Sequence, residues 1–419
     1  MEDQSHLGFH TDTWMGIRET MQRRPLYLFG DGQIAIKTIR SLGSVPAGVV
    51  DNFPAYWGHV GIAGLQVFEP ADIFRLSLEP VPRPCFIITS TAIQDIGDQL
   101  EHAGFSGGRD FWVSPVLKDQ ETIRRMEGSH FEFLISSGSA SSQSGLSGGG
   151  IYRIGTTDAF PEIECVYRGE AHGLVPFEEG FLATTADGGL TRLSSNFATI
   201  AVQDAPLTGR LHGIAVDESR ELIFVVHTDS DTIHAFDYAL RLQFTSPVCP
   251  CFDFHRPGIH HANDITVIED MVVVSMFSAT GAYRAQVYDG ALAGVRWSQD
   301  HRHVGFLKVD LTMPHSVANV GGSLAVLDSF HGHVLAQNFR IVAQLPGFVR
   351  GLWEQSGFWL VGQSKNRNFS LLKRKSAGVS IDSGVAILNV DSGVFRTVPL
   401  PPSINEIHSI VGLSASVPR

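Results

Sequence analysis

The chain has 419 residues, 43% of them hydrophobic, enough to bury more than one core, so two domains are expected rather than one. Acidic residues outnumber basic ones 43 to 31, for a net charge of −12, and no overall positive field attracts nucleic acid or an anionic membrane. No apolar run approaches the ~20 residues of a membrane-spanning helix, residues 1–24 read as a polar extension without an apolar leader core, and four cysteines (Cys85, Cys165, Cys249, Cys251) in so long a chain make no disulfide framework. A cytoplasmic protein is the expectation.

Residues 25–127 alternate strand and helix patterns. PLYLFG (25–30), PAGVVD (46–51) and PCFIITS (84–90) are short apolar strands, while QIAIKTIRSL (33–42) and IQDIGDQLEHAG (93–104) space their apolar residues as helices do. That alternation predicts a small α/β domain of Rossmann type with a parallel sheet. Its first turn is G-x-G-x-x-A from Gly30 through Gly32 to Ala35, and Asp51 ends the second strand. Glycines there allow a phosphate to approach the backbone, the helix N-terminus faces it, and the acid can bind ribose hydroxyls. Gly30, Gly32 and Asp51 are therefore the expected contacts for a nucleotide, although Asp31 inside the turn would repel a pyrophosphate and the glycines serve equally for a tight turn. The stretch FGDGQIAIKTIRSLG…AGVVDN…FIITS…GFSGGRDFWV resembles the Rossmann-like module at the front of sugar O-acyltransferases and some sugar-modifying methyltransferases. The resemblance implies a nucleotide-sugar ligand.

From residue 128 to 419 the helical period gives way to short β-branched and aromatic strands separated by Gly, Asp and Asn. A strand, a tight turn and a more apolar strand recur: AHGLVPFEEGFLATT (171–185), LHGIAVDESRELIFVV (211–226), ANDITVIEDMVVVSM (262–276), PHSVANVGGSLAVLD (314–328), VRGLWEQSGFWLVG (349–362) and IHSIVGL (407–413). The lead residues His172, His212, Asn263, His315, Arg350 and His408 are about 47 residues apart on average, the length of a four-stranded propeller blade. The sixth copy keeps only its first strand, and FEFLISS (131–137), GGIYRI (149–154) and ECVYRG (164–169) lack an inner one. The expectation is a six-bladed β-propeller closed by pairing 408–413 with the segment from Phe131, which removes the exposed edge at the seam.

First strands of blades line a propeller's channel, so the six lead residues should converge on its axis. Neutral imidazoles suit a divalent transition metal such as Fe, Zn or Mn, and the lack of thiolates disfavours a closed structural zinc. His172, His212, His315 and His408 are the expected ligands, with Asn263 ligating or orienting and Arg350 holding a carboxylate or phosphate. The alternative for each histidine is a strand-entry turn hydrogen-bonded to the next blade. CPCFDFHRPGIHH (249–261) is a competing cluster: C-x-C-x₃-H is not a standard zinc-finger spacing, and His260 or His261 could supply the third blade's channel ligand instead. The Gly/Ser-rich run 138–150 is a candidate lid, and Lys365, Arg367, Lys373, Arg374 and Lys375 a candidate anion-binding rim.

The C-terminal stretch LTMPHSVANVGGSLAVLDS…VAQLPGFVRGLWEQSGFWLVGQSK…SGVAILNVDSG…EIHSIVGL is similar to an uncharacterised bacterial family of propeller-like proteins, which supports the fold and transfers no activity. In the logic of four histidines at blade starts alone, the chain also resembles the iron-dependent carotenoid oxygenases, which differ in sequence and blade number. The preferred reading is a metal-dependent enzyme, a lyase, isomerase or oxygenase acting on a small polar, sugar- or nucleotide-linked substrate. Glu406 and Asp264 are the candidate bases: strand alternation puts Glu406 on the side of His408 and Asp264 on the side away from Asn263. The alternative is a non-catalytic ligand-binding or scaffold propeller with a nucleotide-sensing module. A dehydrogenase fits less well, because no Lys-Tyr or Cys-His constellation accompanies the glycine turn.

Overall fold

A computed structural model describes residues 17, 23–61, 64–76, 82–138, 148–156, 160–204, 207, 209–253, 255–296, 302–367 and 379–417. They fall into two compact units, one ending at Ser129 and the other running His130–Ser416. Residues 139–147 of the candidate lid (138–150) and the basic residues 373–375 lie outside the described residues.

The first unit is a parallel five-stranded sheet with helices on both faces. Strands β1 (Leu26–Phe29), β2 (Gly48–Val50), β3 (Val67–Phe68), β4 (Cys85–Ile88) and β5 (Phe111–Val113) lie in the order β3-β2-β1-β4-β5. Alternate residues of each strand point to opposite faces. Tyr27, Phe29, Phe86 and Ile88 pack with Ile93, Ile96 and Leu100 of the helix Ile93–His102, while Leu26, Leu28, Cys85 and Ile87 pack with Ala35 and Leu42 of the helix Gln33–Leu42. With both faces covered, β1 and β4 are buried at every position, which is why they read as continuous apolar runs.

The second unit is a six-bladed β-propeller. Its four-stranded antiparallel sheets begin, in chain order, with inner strands Ala171–Phe177, Leu211–Asp217, Ala262–Ile268, Pro314–Val320 and Phe348–Gln355. The sixth blade takes its inner strand, Ile410–Ser416, from the far end of the chain and its other three from His130–Ser137, Gly150–Thr156 and Pro161–Arg168. The closing register runs antiparallel from Ile410 opposite Ile135 to Ser416 opposite His130. The closing strand therefore starts two residues beyond His408, which stands in the segment leading into it. Second strands such as Leu222–His227 and Met271–Met276 are sandwiched between neighbouring blades and read as unbroken apolar runs. Outer strands such as Thr199–Val202 are largely exposed.

Deleting the chain after Pro401 removes the sixth inner strand and leaves His130–Ser137 with an open edge. The expected outcome is loss of a cooperative thermal transition by circular dichroism, whereas a sharp melt at the full-length midpoint would show that the ring does not need this closure.

Candidate functional site: the propeller axis

Five of the six inner strands slip out of register at the lead residue; in the sixth the shift lies between Gly412 and Ser414. In those five it falls between Leu211 and Ile214, Ala262 and Ile265, His315 and Ala318, and Val349 and Leu352, and opposite Ala171 and Leu174 in the first blade. Such bulges re-aim side chains that alternation would send to opposite faces. Asp264 borders the axial cavity together with Asn263, and it also borders a second pocket, lined by Leu174, Ile214 and Ser316, that does not include Asn263.

The residue after each lead residue meets the next blade. A Cβ at Gly213 would strike the Asp264 carboxylate, and one at Gly351 would stand 2.8 Å from Ile410, so glycine is required where blades come closest. Asp264 accepts a 2.7 Å bond from the Ser316 amide, Ser316 Oγ accepts one of 2.7 Å from the Gly351 amide, and Ser409 Oγ donates to the His172 carbonyl at 3.2 Å. Buried second-strand hydroxyls fasten the same backbone: Thr184 to the His212 carbonyl, Thr228 to the Ala262 carbonyl and Ser136 to the His172 carbonyl.

His172, His212, Asn263, His315 and His408 converge on one cavity with room for about one water-sized body. The His172 ring stacks on His212 at 4.6 Å between centroids and meets His408 edge-on at 4.4 Å. Nε2 of His212, His315 and His408 and Oδ1 of Asn263 are buried with no hydrogen-bond partner among the described residues, although His408 Nε2 stands 3.6 Å from the Glu406 carboxylate. His315 Nδ1 lies 3.0 Å from the Met313 carbonyl and 2.8 Å from Ser329 Oγ; a carbonyl only accepts, so the proton sits on Nδ1 and Nε2 presents a lone pair. Gly138 covers one side, where a Cβ would stand 2.6 Å from His172 Nε2 and 2.8 Å from His408 Nε2.

Burial keeps these rings neutral. Burial, opposed by Glu406 and reinforced by Arg350 and Arg210, lowers His172 to about 4. Burial first, then neighbouring charges, hold His212, His315 and His408 well below their ordinary value. Burial also raises the Asp264 carboxyl to about 6 against its Ser316 hydrogen bonds.

Arg350 and Glu406 are paired with each other beside a mouth pocket walled by Phe277, Tyr283, Tyr288 and Phe348, and the Glu406 carboxylate also stands 3.6 Å from His408 Nε2. Arg367 reaches Glu406 at 2.7 Å, and Lys365 joins the lining. Glu406 precedes the closing strand, so alternation does not govern it. Burial favours its neutral form, but Arg350 and Arg367 outweigh burial and hold its carboxyl below the usual range, which makes it an ion-pair partner and a poor base. His261 adopts φ +53° and stacks on Tyr283 at 4.1 Å, at the mouth rather than among the axial cavity's lining residues. The aromatic wall and Gly138 carry no repeat signal, so sequence reasoning missed them.

Among the described residues, two groups bring three His, Cys, Asp or Glu ligand atoms within 4.8 Å of one another: Cys249, Cys251 and His260, and Asp328, His331 and His333. The axial histidines are not drawn together so tightly. The Asp328 group, in LDSFHGHV, was legible only as D-x₂-H-x-H; His331 Nδ1 stands 2.9 Å from the Asp328 carboxylate.

At the N-terminal sheet, Gly30 (φ +114°) turns the chain between β1 and the helix Gln33–Leu42, beside Thr89, where the strand order reverses. No atom stands within 4 Å of a Cβ built at Gly32. Asp51 accepts 2.9 Å bonds from the amides of Asp31 and Phe53, so its carboxylate braces the glycine turn while keeping acceptor positions free.

Residues 262–418 match the model of a family described as a domain of unknown function (DUF4915). No curated protein matches the chain. Among solved structures, a protein of unknown function from Bacteroides caccae aligns at 13% identity and a TM-score of 0.47, covering 68% of this chain and 99% of that one. A chain of a nidogen/laminin complex aligns at 12% and 0.46, covering 68% and 97%. Regucalcin from Agrobacterium tumefaciens, a calcium-binding protein, aligns at 10% and 0.40, covering 56% and 75%.

A histidine whose folded pKa lies below its unfolded value binds fewer protons when folded, so its contribution to stability is complete above about 6.5 and is lost as pH falls toward the folded value. Asp264, raised to about 6, acts in the opposite sense, one group against six, since burial also lowers His234 to about 4 and His261 to about 3. The thermal midpoint should fall between pH 7 and pH 5, and fall less in His212→Gln. A flat profile in both proteins would contradict the neutral ring.

Proposed function

We propose that the propeller is a metal-dependent enzyme holding a divalent transition metal (Fe, Zn or Mn) on its axis and acting on a small anionic molecule taken in at the mouth. The observation that carries the reading is the convergence on one ion-sized cavity of the Nε2 atoms of His212, His315 and His408 and the Asn263 Oδ1, none of them hydrogen-bonded among the described residues. Neutral imidazoles whose outer nitrogens are tied to backbone, as in His315, are suited to ligate through the inner one. His212, His315 and His408 would hold the ion, with His172 and Asn263 beside them, after their ligand atoms draw inward. When bound, such an ion acts as a Lewis acid on a substrate oxygen.

The chain's own groups supply the rest. Arg350, Lys365 and Arg367 face the mouth with only Glu406 opposing them, so the pocket favours a carboxylate or phosphate even in an acidic protein. Phe277 and Phe348 line that pocket and also contact the His315 ring, at 5.0 and 5.6 Å between centroids. Asp264, with a carboxyl near 6, is placed to take up or return a proton at neutral pH, a role better suited to it than to Glu406. Elimination, isomerisation and oxidation are all compatible with this set.

The non-catalytic alternative is favoured by the spacing of the axial ligand atoms, which falls outside the 4.8 Å grouping, and would leave the mouth as a plain anion-binding site. A nucleotide-sugar at the Gly30–Gly32 turn is a separate proposal, supported by the open space at Gly32, with the Asp51 carboxylate bracing that turn. Calorimetry with UDP-sugars on the native protein and on Gly32→Trp tests it; no heat from the native protein would end it.

Metal analysis of the purified chain beside His315→Ala and His212→Ala tests the main reading. Each variant should lose one equivalent of metal relative to wild type while keeping its circular dichroism spectrum. If both variants keep the full wild-type content, or the wild type takes up no ion at the axis on reconstitution, the histidines are structural and the enzyme reading falls.

A further inference from the structure

A second cluster lies away from the axis, in the crossover between two blades. The outer strand Leu242–Pro247 ends the second blade, and the chain then runs through 248–261 to the inner strand Ala262–Ile268 of the third. Asp231, fully buried, ties both ends of this crossover: its carbonyl accepts from the Val248 amide at 3.1 Å, and its carboxylate accepts from the amides of His260 at 2.8 Å and Ala262 at 3.2 Å. That clamp brings Cys249 and Cys251, at the start of the crossover, against His260 near its end.

We propose that Cys249, Cys251 and His260 form a zinc site with a fourth, solvent-facing position. Cys249 Sγ stands 3.5 Å from Cys251 Sγ and 3.6 Å from His260 Nε2, and the three atoms lie within 4.8 Å of one another. Zinc–sulfur bonds of about 2.3 Å and zinc–nitrogen bonds of about 2.05 Å at the tetrahedral angle set a sulfur–sulfur edge of about 3.8 Å and a sulfur–nitrogen edge of about 3.5 Å. The observed edges come within a few tenths of an ångström of both. A disulfide would need a bond of about 2.05 Å, and both cysteines are free thiols.

The histidine is set for the task. Its Nδ1 donates to the Ser278 carbonyl at 2.8 Å, which fixes the tautomer and turns the bare Nε2 toward the sulfurs. Gly281 (φ +72°) lets the neighbouring turn close on the ring: a Cβ there would stand 3.2 Å from His260 Cε1. Cys249 and His260 are buried, whereas Cys251 is exposed, so an ion enters from the Cys251 side and keeps a water there. Thiolates select a soft ion, which separates this site chemically from the all-nitrogen and oxygen axis. Binding releases the two thiol protons to solvent. The ion would fasten the crossover and, one residue on, the His261 ring against Tyr283 at the mouth.

The reading is independent of the axial metal, and cobalt separates the two. Reduced, chelator-stripped protein titrated with Co²⁺ should develop a near-ultraviolet thiolate-to-cobalt charge-transfer band that saturates at one equivalent and is displaced by Zn²⁺. Cys251→Ser, at an exposed position, should keep the fold and lose the band at least tenfold, while His315→Ala should keep it. The site is overturned if folded, reduced wild type gives no such band, if Cys251→Ser retains it, or if the native thiols are isolated as an intramolecular disulfide that takes up no metal after reduction.

Discussion

The propeller depends on a ring of contacts passed from each inner strand to the next, one residue beyond each lead residue. Gly213 lies against Asp264, Asp264 against Ser316, Ser316 against Gly351, Gly351 against Ile410, and Ser409 against His172. Each contact needs either no side chain or a short polar one, because the blades are closest there. In five of the six blades, bulges at the same place free two consecutive residues of the inner strand from the ladder. The histidines reach the axis because their neighbours are occupied with holding the blades together.

This arrangement separates two electrostatic zones. At the depth of the histidines water is largely excluded and the rings stay neutral, which leaves their lone pairs available. At the mouth, the Arg350–Glu406 pair and Arg367 concentrate charge beside aromatic walls. Phe277 and Phe348, edge-on to His315, separate the zones without sealing them in charge, so a ligand's anionic end and its reacting end would sit in different surroundings.

The repeat of lead residues made blade number, closure and the axial convergence legible, because one residue type recurring once per blade has one physical meaning in a ring. The H-G pair was visible as a pair, but the reason for its glycine was not, since it lies in the next blade. Alternation alone could not show that Asp264 also borders the axial cavity, because the ladder is broken between Ala262 and Ile265. The ladder of the closing strand is regular only from Ile410, although His408 and Ser409 already exchange backbone bonds with Ser136, so alternation could not place Glu406. Asp51 matches a nucleotide fingerprint by spacing, and its carboxylate also accepts from the Phe53 amide in its own turn and from the Asp31 amide in the glycine turn, a link that spacing could not report. The proximity of Cys249 to His260 depends on Asp231, a residue from an earlier turn, and no local pattern could report it.

The closing strand gives the axial cavity a place in the folding sequence. Its lining residues run from His172 to His408, and the ring is joined only when Ile410–Ser416 pairs with His130–Ser137. Long-range pairing of this kind is slow to form, because the entropy of closing a long loop must be lost before any contact offsets it. A partial ring, with five blades stacked, would hold its histidines in an open arc exposed to water and free to take up protons. The cavity thus exists only in finished molecules, and any ligand specific to it would distinguish a completed chain from one still folding.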